Sequence, residues 1–172
     1  MHIKSLLHIN HPNAIQFVTF RTQESLSYYL QHNNIDTTDS AAKQQLEMDK
    51  ILDVSKAGAI LNGSVIELLM QYLLSKNNSL YQLIAVSIMP NHVHIMFEQL
   101  APLAQIMQNV KGGSSLLINR YLDKSGVLWD KSYYDKIVRT EVQFKITYEY
   151  IKNNAYKAEL ADAQHRFYGI YE

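Results

Sequence analysis

Apolar and polar positions alternate along two runs that meet at Pro90-Asn91. Leu80 to Ser87 forms the first run, and Ala85 to Glu98 contains the junction and the second. Val86, Ile88, Val93, Ile95 and Phe97 are strand formers, and Pro with Asn supplies turn chemistry, so the pattern predicts a hairpin. Side chains alternate faces along a strand. Val93, Ile95 and Phe97 are therefore expected to pack inward on one face, while His92, His94 and Met96 share the other.

The same reading extends to the rest of the chain. Ala14 to Arg21 alternates as a strand, entered through a loop that carries His8 and His11. Asp36 to Ser40 reads as a turn or helix start, and Ala41 to Lys56 as a helix whose wet side holds Leu46, Asp49, Lys50 and Asp53. Ser64 and Glu67 stand three apart, the spacing of a capping box, ahead of a helix from Val65 to Lys76 with Ile66, Leu69, Met70, Leu73 and Leu74 at core spacing. Leu103 to Val110 has helical spacing; Lys111-Gly-Gly-Ser-Ser115 is expected to break it before Leu116 to Leu122 resumes. Gly112-Gly113 also allows a close approach to a phosphate. After a turn at Lys124 to Gly126, Ser132 to Val138 reads as a strand. Thr140 and Gln143 form a second capping box, opening a helix to about Asn153. Phe144, Tyr148, Ile151 and Ala155 form its core stripe, with Tyr150 one step round and Asn154 one turn beyond Tyr150.

This order predicts an α+β fold: a ferredoxin-like antiparallel sheet with helices packed on one face. Its length suits a single domain over residues 1–172, with 22–62 an insertion or lid and 156–172 a C-terminal tail. The absence of cysteine excludes disulfides, thiolate metal sites and a cysteine nucleophile, and fits a reducing cytoplasm. No segment has the apolar length of a membrane span, and Met1 to Asn10 is too short and polar for a signal peptide. The zero net charge argues against a strongly basic nucleic-acid binder. That average hides a gradient: residues 22–62 hold three Lys/Arg against six Asp/Glu, and residues 101–140 hold six against three.

Two imidazoles on one strand face can share a metal ion, although most His-x-His pairs in strands are structural. Tyr150 and Asn154 would hold a phenol and a carboxamide together at the edge of a packed helix. Taken alone, each has an ordinary explanation: a helix tyrosine, and an asparagine near a helix C-terminus. Trp129, the only tryptophan, reads first as a core anchor and second as a base-stacking platform.

Several short motifs together resemble the single-tyrosine HUH transposases, IS200-like, and among them the REP-associated tyrosine transposase-like group. They are Met89-Pro-Asn-His-Val-His-Ile-Met96, Lys111 to Ser115 with Ile118-Asn119, Gly126-Val-Leu-Trp129, Tyr134-Asp135 with Val138-Arg139, Tyr150-Ile-Lys-Asn-Asn154, and Lys157-Ala158. They span about Leu80 to Leu160 in the family's order. The resemblance implies an HUH endonuclease type of fold and a metal-dependent single-stranded DNA endonuclease and strand transferase. It makes His92 and His94 the metal ligands, Tyr150 the nucleophile that forms a 5′-phosphotyrosine, and Asn154 a third ligand or a residue that orients the metal. Lys111, Trp129 and Arg139 become DNA contacts. The implied cofactor is Mg2+ or Mn2+, and the implied partner is single-stranded or hairpin DNA. Relatives occur both as monomers and as homodimers, in which the tyrosine can serve its own subunit's site or its partner's. The alternatives are a non-catalytic nucleic-acid-binding module on the same fold and a phosphodiesterase that uses water as its nucleophile.

Overall fold

A computed structural model describes residues 10–33 and 38–172. The N-terminal signal-peptide reading over residues 1–9, His8, and the Asp36 end of the predicted turn lie outside the described residues. The elements are β1 (Ile15–Arg21), α1 (Gln23–His32), α2 (Ala41–Val54), α3 (Ser64–Ser75), β2 (Tyr81–Ile88), β3 (His92–Gln99), α4 (Leu103–Tyr121), β4 (Tyr134–Val138), α5 (Glu141–Lys157) and β5 (Phe167–Gly169), with a short 3-10 turn at Ala163–His165. The strands form one antiparallel sheet in the order β4-β1-β3-β2-β5. Its first four strands follow the α+β, ferredoxin-like plan, with β1 and β3 at the centre.

The alternation in β3 sorts the core. Val93, Ile95 and Phe97 join Val18, Phe20, Val86 and Ile88 against the apolar stripes of α3 and α4. The crossover helices thus share one face, as expected. The other face is also covered, which the one-face expectation did not allow for. There Phe17, Ala85 and Met96 pack against Tyr148 and Ile151 of α5. The cause lies in the strands, because their second face carries Phe17, Ile84 and Met96 and must itself be buried. Residues 156–172 run on from α5 and place β5 along the free edge of β2. Buried Arg166 fixes that return by donating to the carbonyls of Leu61 and Ile88 at 3.0 and 2.9 Å.

Two local expectations are corrected. α4 runs unbroken through Lys111-Gly-Gly-Ser-Ser115. Gly113 sits there because a Cβ would lie 1.8 Å from Tyr72 Oη, whose hydroxyl donates to the carbonyl of Asn109 at 2.8 Å. Ser114 Oγ donates to the carbonyl of Val110 and accepts the indole N–H of Trp129 at 2.9 Å. The motif therefore serves close helix packing and not a helix break or phosphate loop. At α3, Gly63 with φ 56° is the N-cap and Ser64 is already helical, so no side-chain cap forms. The second capping box does form: Thr140 Oγ1 accepts from the Gln143 N–H at 3.1 Å. Gln143 Oε1 reaches back one residue further, to the Arg139 N–H at 2.9 Å.

Within residues 22–62, α1 and α2 pack through Leu26, Tyr29 and Leu52. Among the described residues, no helix is long and apolar enough to cross a membrane.

Candidate active site

β3 delivers His92 and His94 to the α5 face, fully buried, with ring centroids 4.8 Å apart. The Pro90-Asn91 turn sets their chemistry. The Asn91 side-chain amide donates to the carbonyls of Leu52, Ser55 and Ala57 at 3.0, 3.3 and 3.4 Å. Its Oδ1 therefore faces His92 Nδ1, 2.7 Å away, and accepts a hydrogen bond from an Nδ1–H. That bond leaves the lone pair of His92 on Nε2. His94 Nδ1 lies 2.7 Å from Thr19 Oγ1, its cross-strand neighbour on β1.

Both Nε2 atoms are buried and have no hydrogen-bond partner. A buried polar atom left unpaired costs roughly 1–3 kcal/mol. Burial lowers both imidazoles, His92 well below its ordinary pKa and His94 to about 4. Both are thus neutral at physiological pH and able to bind a metal.

α2 brings Asp49 to this pair. Asp49 is buried; its Oδ1 accepts from Arg21 Nη2 at 2.9 Å, and Gln45 Nε2 lies 3.0 Å from both oxygens. Burial pushes the Asp49 carboxyl up, but His94, charged only in the acid range where this carboxyl titrates, and Arg21 outweigh it and hold the group below the usual aspartate value. Asp49 Oδ2 is 3.8 Å from His94 Nε2, and one ligand atom from each of Asp49, His92 and His94 lies within 4.8 Å of the others. Asp53, one turn on, places Oδ1 3.6 Å from His92 Nε2. Burial, and then the charge of Asp49, raise Asp53 to about 7.

Tyr150 on α5 completes the cluster. Its hydroxyl donates to Asp49 Oδ2 at 2.9 Å, and its ring stands edge-on to His94 with centroids 5.2 Å apart. Burial, and then the Asp49 carboxylate, push the phenol well above the ordinary tyrosine range. Asn154 is buried one turn further along α5, and its Nδ2 has no hydrogen-bond partner. Asp49, Asp53, Tyr150 and Asn154 line a cavity of about 490 Å³, together with Lys50 and Lys157.

His92, His94, Tyr150 and Asn154 therefore gather on one side of the sheet. The other three predicted site residues do not join them. Trp129 is 4% exposed, edge-on to Phe20 in the opposite core, so its ring is not free to stack on a base. Lys111 belongs to α4 on that same opposite side, with Nζ 3.2 Å from the carbonyl of Ser132. Arg139 is exposed between β4 and α5.

Sequence reasoning placed Asp49 and Asp53 on a wet helix side, and it did not find Arg21 or Gln45. The one signal available was the pair of carboxylates at i and i+4, which solvated helices also carry.

A family profile described as "Transposase IS200 like" matches residues 42–154. Among solved structures, the fold is similar to that of a REP-associated tyrosine transposase bound to a REP hairpin, with a TM-score of 0.52 and 11% identity over 93% of this chain and 77% of that one. It is also similar to a candidate transposase from Deinococcus radiodurans, with a TM-score of 0.49 and 15% identity over 90% of this chain and 98% of that one. No curated protein matches the sequence. The profile match takes in α2, the histidine strand and the tyrosine helix, and covers well over half of the residues: the chain belongs to the IS200-like transposase family.

Proposed function

We propose that the protein is a metal-dependent single-stranded DNA endonuclease and strand transferase with Tyr150 as nucleophile. The observation that carries this reading is the hydrogen bond from Tyr150 to Asp49, a carboxylate that also stands beside two neutral imidazoles with unpaired Nε2 atoms. His92 and His94 Nε2 and Asp49 would hold a divalent cation, Mg2+ or Mn2+. Asn154 is an additional oxygen donor if its carboxamide is turned, since the two ends of that group are interchangeable by a flip. The bound cation supplies Lewis-acid polarisation of the scissile phosphate.

The chain's own groups do the rest. Asp49 aims the Tyr150 hydroxyl, and its Oδ2 is in contact with the proton that must leave Oη as attack proceeds. A phenol with an ordinary pKa of about 10 needs that help at neutral pH. Attack forms the Oη–phosphorus bond and breaks the bond from phosphorus to O3′. The 5′ end stays on Tyr150 and the departing O3′ takes a proton. Attack by another 3′-OH reverses the sequence and joins strands without a nucleotide cofactor. Because Tyr150 lies against His94 of its own chain, we read the site as acting within one subunit. Arg139 and Lys111 remain proposed DNA contacts outside the metal centre, and Trp129 does not.

One solved relative by fold holds a REP hairpin. The test is therefore a labelled hairpin with single-stranded flanks, incubated with Mn2+ or Mg2+ and run on a denaturing gel. A covalent protein–DNA band that disappears in Tyr150→Phe supports the reading. Binding without cutting returns the non-catalytic module, and cutting that survives Tyr150→Phe returns water as nucleophile.

A further inference from the structure

Three buried atoms around the histidine pair have no hydrogen-bond partner: His92 Nε2, His94 Nε2 and Asp53 Oδ1. Asp53 follows Asp49 by one helical turn, so both carboxylates leave the same face of α2. Their charge balance differs. Asp49 is matched by Arg21 and takes further hydrogen bonds from Gln45 and Tyr150. Among the described residues, the ion-pair partner of Asp53 is His92 alone, and that imidazole is neutral. A carboxylate oxygen 3.6 Å from the His92 Nε2 lone pair, with no hydrogen-bond partner of its own, is a ligand without its cation. Arg21 already neutralises Asp49, so Asp53 is the carboxylate left to balance the charge of a bound cation.

We infer that Asp53 is a further protein ligand of the centre, binding the divalent cation through Oδ1 beside His92, His94 and Asp49. The inference rests on the metal-centre reading above and adds an anionic oxygen to it. A set of two imidazoles and two carboxylates favours a first-row ion such as Mn2+, Fe2+, Co2+ or Zn2+ over Mg2+, which prefers all-oxygen surroundings.

The test uses the full chain without DNA. Titrate Mn2+ calorimetrically into wild type, Asp53→Asn and His92→Ala. Record the visible absorption of the Co2+ forms, and measure the rise in melting temperature between EDTA and saturating Mn2+. Wild type is expected to bind one ion and His92→Ala to lose it. Asp53→Asn is expected to keep the one-to-one stoichiometry, bind on the order of tenfold to a hundredfold more weakly, change its Co2+ bands and gain less from Mn2+ on melting. The melting rise is taken within each protein, so a weaker Asp53→Asn fold does not mask the result. An Asp53→Asn protein with wild-type affinity, bands and melting rise overturns the inference but leaves the metal centre standing. A wild type that binds neither Mn2+ nor Co2+ overturns both.

Discussion

Asn91 Oδ1 accepts the Nδ1–H of His92 at 2.7 Å, while the nitrogen of the same carboxamide donates to the Leu52 carbonyl at 3.0 Å. One buried side chain thus fixes the tautomer of a candidate ligand and ties down the end of the helix that carries Asp49 and Asp53. Asn91→Asp keeps an acceptor for His92 but loses the donors to α2, whereas Asn91→Ala loses both. Long-range ¹⁵N–¹H spectra of the histidine rings should show an Nδ1-protonated His92 in wild type and a mixed tautomer in Asn91→Ala. Metal affinity should fall with it by roughly 10- to 100-fold. A His92 ring that keeps its tautomer in Asn91→Ala rules this role out.

The metal-free protein should have an unusual pH profile, because its two buried histidines and the Asp53 carboxyl act in opposite directions. His94 is lowered to about 4, so the unfolded chain binds a proton below its ordinary value of 6.5 while the folded chain does not. That contribution is complete above about pH 6.5 and is lost as pH falls toward 4, a difference on the order of 3 kcal/mol. His92 is shifted the same way. Asp53 is raised to about 7, so the folded chain holds a proton there that the unfolded chain has released. Its contribution is present at low pH and is lost as pH rises from about 4 toward 7. In EDTA, with two lowered histidines set against one raised carboxyl, wild type should therefore gain urea midpoint only gradually between pH 4.5 and 6.5. Asp53→Asn, left with the histidine slope alone, should gain stability about twice as steeply over that range and then level off. Parallel profiles for the two proteins would contradict these assignments.

The two glycines of α4 should respond differently to the same substitution. An alanine in a helix interior is worth up to about 1 kcal/mol over glycine. A Cβ on Gly112 meets no atom within 4 Å, so Gly112→Ala should raise the urea midpoint by that order. A Cβ on Gly113 would lie 1.8 Å from Tyr72 Oη, which must swing away and give up its bond to Asn109. Gly113→Ala should therefore come out at or below wild type, with the overpacking cost of about 1–3 kcal/mol cancelling the helix gain.

These contrasts explain what could be read in advance. The face of His92 and His94 follows from strand alternation alone, which acts over two residues and needs no partner. The stripe of Tyr148, Ile151 and Ala155 is legible for the same kind of reason, and Tyr150 and Asn154 follow from it by helical geometry. Gly112-Gly113 was not, because a break and a close approach to Tyr72 ask for the same residue, and only the distant helix α3 decides between them. Asp49 was hidden more deeply. Its burial depends on Arg21 from β1, Tyr150 from α5 and Gln45 one turn back, so no local window distinguishes it from a solvated helix carboxylate. A sheet covered on both faces has a similar origin, since Phe17 and Met96 are buried by α5, which lies far from them along the chain.

The ion pair between Arg21 and Asp49 gives a test that links stability to the centre. Both side chains are buried and meet at 2.9 Å. Removing one partner of such a pair leaves a stranded charge and costs about 3–5 kcal/mol. Arg21→Gln should therefore lower the urea midpoint sharply in EDTA, and a small gain or no change would mean that Asp49 is already neutral in the folded protein. Mn2+ distinguishes this ion pair from a purely structural one. If Asp49 is a ligand, the ion supplies the positive charge that Arg21 no longer does, so Mn2+ should stabilise Arg21→Gln more than wild type. The double variant Arg21→Gln/Asp49→Asn removes the stranded charge, and should recover much of the EDTA stability while losing the Mn2+ effect. If the double variant still gains from Mn2+ as wild type does, Asp49 is not among the groups that hold the ion.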